Sequence, residues 1–82
     1  MSYQIHDRYI WKIESYLMRK HGVDEAHRLL EPLAWYIWTC RASVDFLHKL
    51  TQTKPYVIGR LLAKGGSTDE AIARIKARIG AY

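Results

Sequence analysis

The segment DEAHRLLEPLAWYIWTCRASVDFLHKL, residues 24–50, decides the fold class. Within it Ala26, Leu30, Leu33, Ile37, Cys40, Val44 and Leu47 recur at alternating steps of four and three, the spacing that stacks apolar side chains along one helical seam. From Leu33 to Cys40 the pattern widens, because Ala34, Trp35, Tyr36 and Trp38 put apolar or aromatic groups on the remaining faces. A helix that is apolar nearly all round is normally enclosed. The segment therefore predicts a long central helix opened by Asp24 as N-cap, with the seam holding either the core or a dimer. Pro32 perturbs it, since a proline removes the hydrogen bond to the carbonyl of Arg28 and its ring crowds that turn. Leu30 and Leu33 stay in phase across the proline, which favours one helix kinked at Pro32 over a split into 24–30 and 32–50.

Upstream, Ile5, Tyr9, Ile13, Tyr16 and Leu17 share one face of a helix over about 6–21, with Ile10 beside them and Arg8, Lys12, Arg19 and Lys20 largely opposite. Lys20 and His21 suit its negative pole, and Gly22 can take the left-handed conformation that stops it. Downstream, Thr51 to Thr53 is a polar connection. Lys54-Pro55 places proline in the first turn of a helix over 54–64, where no donor is lost. Val57, Ile58, Leu61 and Leu62 form its apolar side, and Gly65-Gly66 ends it. Ser67 and Glu70 make an S-x-x-E capping box for a last helix over 67–79, whose stripe is Ala71, Ile72, Ile75 and Ile79. Nothing in the chain has the alternation of a strand, a repeat or a low-complexity tract. The expectation is an all-α single domain over residues 1–82, a small antiparallel bundle of four helices, or five if Pro32 breaks the second, around the long central one.

The chain has 82 residues, of which 49% are hydrophobic, with three Trp and six Tyr. A domain of this size buries only roughly 60 to 65% of the surface its unfolded chain exposes. The apolar supply exceeds that interior, so part of it is expected to face a partner, and a second copy is an economical one: a homodimer is expected. Cys40 is the one cysteine, which rules out a disulfide within the chain and favours a reducing, cytoplasmic setting. Met1 to Arg8 carries Asp7 and Arg8 before any long apolar run and does not resemble a secretory leader. The longest uncharged run, Pro32 to Cys40, is far short of the roughly 20 residues a membrane span needs, so no span is expected.

The formal charge of +5 is unevenly placed. Up to His48, six basic side chains balance six acidic ones. From Lys49 onward, Lys49, Lys54, Arg60, Lys64, Arg74, Lys76 and Arg78 oppose only Asp69 and Glu70. Such a segment suits an acidic protein surface or a phosphate backbone.

Two functional readings follow. Trp11, Met18, Trp35, Tyr36 and Trp38 are residue types common at interface centres, and Trp35 and Trp38 fall off the seam; together they form a candidate partner-binding patch, set against the blander role of core aromatics. The alternative is a nucleic-acid surface made of Arg60, Lys64, Arg74, Lys76 and Arg78, because the last two helices and their Gly-Gly turn superficially resemble a helix-turn-helix. Three features weaken that alternative: Gly66 stands where such turns carry an apolar residue, Glu70 can pair with Arg74, and Asp69 and Glu70 occupy the helix start that would meet the bases. Catalysis has little support. Cys40 on the seam is expected to act as a small hydrophobe, Asp45 and His48 could pair but lack a nucleophile, and His6, His21, His27 and His48 do not repeat at ligand spacing. Gly65-Gly66 lacks the phosphate-loop pattern, and the last helix has no Trp or Phe to insert into a membrane surface. No cofactor or metal is expected. The sequence thus favours a small non-catalytic interaction module, such as an adaptor, subunit or inhibitor, that occupies the surface of a larger partner.

Overall fold

The computed structural model describes the backbone of residues 3–81 and the side chains of residues 7–81, so Ile5 and His6 lie outside the described side chains. It contains five α-helices and, among the described residues, no strand: α1 (Tyr3–His21), α2 (Val23–Trp38), α3 (Val44–Thr51), α4 (Pro55–Leu62) and α5 (Thr68–Ile79).

α1 ends where Gly22 turns left-handed, at φ 86°, with its amide on the Met18 carbonyl at 3.0 Å. Gly22 is also the N-cap of α2, and its carbonyl accepts the Ala26 amide at 3.0 Å. Asp24, expected as the N-cap, instead lies with Glu25 in the first turn, where a carboxylate meets the positive pole of the helix. α2 then continues through Pro32, so the proline does not split it.

The expected helix over 24–50 is nevertheless two helices, and the break falls after Trp38 rather than at Pro32. Cys40 adopts φ 60°, its amide binds the Ile37 carbonyl at 3.1 Å, and the Arg41 amide binds the Tyr36 carbonyl at 3.2 Å. These are the two reversed hydrogen bonds of a Schellman stop. Thr39 adds its hydroxyl to the Trp35 carbonyl at 2.7 Å. Ser43 restarts the chain as N-cap of α3, with its Oγ accepting the Phe46 amide at 3.0 Å. There is accordingly no long central helix; α1 is the longest element at 19 residues and α2 has 16.

The break changes which residues reach the interior. Leu30, Leu33 and Ile37 are buried and Leu47 is half-buried, but Cys40 is exposed and Val44 is 84% exposed. Phe46 and Leu50 enter the core from α3 instead. They join Tyr9, Ile10, Ile13 and Leu17 of α1, Ala26 of α2, Ile58 and Leu62 of α4, and Ala71, Ile72 and Ile75 of α5 in one continuous cluster. α1 packs on α2 and α4, while α5 packs on α2, α3 and α4.

Three polar or steric details fix these packings. The Tyr9 hydroxyl donates to the Thr53 carbonyl at 2.7 Å, tying α1 to the α3–α4 connection, and burial raises its pKa above the usual tyrosine value. A Cβ at Gly59 would stand 2.5 Å from Cδ2 of Tyr16, so α4 approaches α1 through a position that has no side chain. Ser67 and Glu70 form a reciprocal capping box at the start of α5, at 3.1 and 2.8 Å. Hydrogen bonds from Ser67 hold the Glu70 carboxyl below its ordinary pKa. None of the described helices is long and apolar enough to cross a membrane.

Candidate functional site

The five aromatic and sulfur-bearing residues singled out in the sequence divide into two groups. Trp11, Trp35 and Trp38 are 64, 44 and 61% exposed. Met18 and Tyr36 are partly buried and pack against the core. Tyr36 meets Phe46 edge to face, with ring centroids 5.2 Å apart, and carries the Lys76 ammonium 5.4 Å from its ring centroid. It serves the junction of α2, α3 and α5 and does not line the grooves described next.

The three tryptophans share one face of the α1/α2 pair. Asp7, Trp11 and Glu14 follow one another at steps of four and three on α1, and His27, Glu31, Trp35 and Trp38 do so at four, four and three on α2. Two adjoining grooves of about 420 Å³ each run between these stripes. One is lined by Asp7, Ile10, Trp11, Glu14, Leu30 and Trp38. The other is lined by Glu14, His27, Leu30, Glu31, Ala34, Trp35, Trp38 and Thr39. Glu14, Leu30 and Trp38 belong to both, which makes the surface continuous. Trp11 and Trp38 line one end together while Glu14 reaches His27 at 3.2 Å across the other, so α1 and α2 run in opposite senses. The floor is apolar, since Ile10, Leu30 and Ala34 are buried beneath the indoles. The rim is acidic: Asp7, Glu14 and Glu31 line the grooves, and no lysine or arginine does. The Arg41 guanidinium lies outside, 4.7 Å from the centroid of the Trp35 ring.

The acidic rim is the part of this surface that composition and seam periodicity do not reveal. Its signal was present as carboxylates three and four residues from Trp11 and Trp35. A net charge, in which Asp7, Glu14 and Glu31 cancel against basic residues elsewhere, does not reveal the face they share.

Several of the basic residues are engaged within the fold. Arg74 donates through Nη1 to the Leu61 carbonyl at 2.9 Å and through Nη2 to the Gly65 carbonyl, closing the C-terminal end of α4. Lys76 sits on Tyr36. Lys49 bridges the Gly80 carbonyl at 3.0 Å and Asp45 at 3.2 Å. Arg60, Lys64 and Arg78 are exposed. Two of these cations, Arg74 and Lys49, thus meet carbonyls at helix C-terminal ends within the fold.

The pair envisaged between Asp45 and His48 gives way to Asp45 with Lys49, and His48 Nε2 lies 3.3 Å from Gln52 Nε2. Among the described residues no polar or charged residue is fully buried, and no three His, Cys, Asp or Glu side chains gather as a metal site. Comparison of the chain with protein-family models, with curated proteins and with solved structures gives no match.

Proposed function

We propose that this protein is a small non-catalytic interaction module that acts by occupying a surface of a larger protein partner through the tryptophan face of α1 and α2. One observation carries the reading. Three tryptophans lie exposed on a single continuous surface, outside a core already filled by aliphatic side chains, Tyr9 and Phe46. Exposed indoles over an apolar floor resemble the centre of an interface before its partner arrives, and truncating such anchors typically removes more than about 2 kcal/mol of binding. An adaptor, a complex subunit and an inhibitor all work in this way. A homodimer would use this same face, because Leu30, Leu33 and Ile37 of the seam are already buried in the chain's own core.

The test is affinity capture from a lysate with the parent chain and with Trp11→Ala/Trp38→Ala, after checking that both have the same helicity. The parent should retain a protein that the variant loses. Equal capture by both would overturn the tryptophan face as the contact surface.

The second reading, a nucleic-acid-binding regulator, is favoured by one observation: Arg60, Lys64 and Arg78 are exposed in a half of the chain that carries the whole net charge. Fluorescence anisotropy with single- and double-stranded nucleic acid, titrated against salt, separates the two. A log–log salt slope equivalent to about three or more phosphate contacts would favour this second reading.

A further inference from the structure

We propose that the occupant of the α1/α2 groove is an amphipathic helix of the partner, with an apolar stripe flanked by lysine or arginine. This rests on the reading of the tryptophan face as a docking surface and adds the chemistry of what docks there. The shape argues for a helix. The groove lies between two antiparallel helices, and the α2 stripe from His27 to Trp38 is roughly 16 Å long at 1.5 Å per residue. A third helix laid along such a pair reaches its preferred separation of about 8 to 10 Å while its apolar side chains enter between the indoles. Trp11, Trp35 and Trp38 form the walls and Leu30 the centre of the floor.

Charge selects among possible helices. Asp7, Glu14 and Glu31 border the apolar strip, and the basic side chains that give the whole molecule its +5 are absent from its lining. The charged residues lining the groove are therefore mainly opposite in sign to the net charge, with Arg41 against the Trp35 ring just beyond them, and at contact range under physiological salt the local groups dominate. The same carboxylates count against a second copy. A two-fold contact through this face would bring Asp7, Glu14 and Glu31 of both copies into one interface, with His27 the one potentially cationic side chain lining it.

The experiment uses the full chain and synthetic amphipathic peptides of about 18 residues, roughly five helical turns, that share one leucine stripe and differ in flanking residues: lysine, glutamine or glutamate. Binding is read by anisotropy of the labelled peptide and by the tryptophan emission of the protein. The lysine-flanked peptide should bind best, with each rim carboxylate contributing about a two- to fivefold gain in affinity. Asp7→Lys/Glu31→Lys, two exposed substitutions, should shift the preference toward the glutamate-flanked peptide. Trp11→Ala/Trp38→Ala should abolish binding.

If all three peptides bind equally and Trp11→Ala/Trp38→Ala abolishes that binding, the basic flank is overturned while the docking surface stands. If none binds, the helical occupant is overturned, and lysate capture separately decides the surface. Binding of the lysine peptide that survives loss of both tryptophans, or self-association of the free chain that depends on them by light scattering, also overturns the proposal.

Discussion

Tyr9 shows at the scale of one residue how this small core handles a polar atom. Its ring is buried with Ile10 and Ile13, and its hydroxyl finds the Thr53 carbonyl at 2.7 Å. Removing that hydroxyl in Tyr9→Phe should cost about 1 kcal/mol, because the carbonyl loses its donor without opening a cavity. Burial raises the Tyr9 pKa above the ordinary value near 10, so the folded chain holds this proton more tightly than the unfolded one. The linked stability is fully present below pH 10 and is lost as pH climbs toward the raised value. Urea midpoints compared between pH 8 and the alkaline side of 10 should therefore fall more steeply for the parent than for Tyr9→Phe. Tyr9 was legible in the sequence as a core residue because its position in the apolar stripe needs only helical periodicity. Gly59 was not: a glycine inside a helix reads as a weakness, and the nearness of the Tyr16 ring depends on how α1 crosses α4.

Helix boundaries form the next scale, and their legibility followed the chemistry of the stop. The ends marked by Gly22, Pro55 and the Ser67–Glu70 box lie in the sequence because each is a local backbone or side-chain requirement. The stop after Trp38 is different. It places Cys40 at φ 60°, a conformation for which cysteine gives no advance signal, and the unbroken step of fours and threes from Ile37 to Leu47 masked it. The start of α3 carries a partial clue in Ser43 at the N-cap followed by Asp45 in the first turn. Substitution gives a sign test of this boundary. At a left-handed stop, Cys40→Gly should raise stability by up to about 1 kcal/mol, since the Cβ penalty disappears. In a continuous helix the same change should lower stability by roughly 0.5 to 1 kcal/mol. Chemical denaturation of the two proteins distinguishes these signs. The break also sets the place of Trp38, because α2 ends at that residue and leaves its indole at the edge of the α1/α2 pair instead of inside a longer helix.

For the whole molecule, the all-helical class and the apolar surplus could be read from composition and periodicity, but the direction in which the surplus faces could not. Tyr36 and Trp38 are both aromatic residues of one helix assigned to the same patch, yet Tyr36 packs against the core and Trp38 lies open. That distinction depends on α1, α4 and α5 being placed around α2, which is long-range information. The basic half was likewise visible as a count, while the use of Arg74 to close α4 and of Lys49 to meet Gly80 required the assembled fold. The central claim is that the tryptophans form a contact surface and not a core. Its most direct test is the unfolding free energy of Trp11→Ala/Trp38→Ala beside the parent. Surface indoles predict a loss of about 1 kcal/mol or less at each position with helicity retained. Core indoles would cost about 3 to 5 kcal/mol each, and a loss of that size would contradict the account.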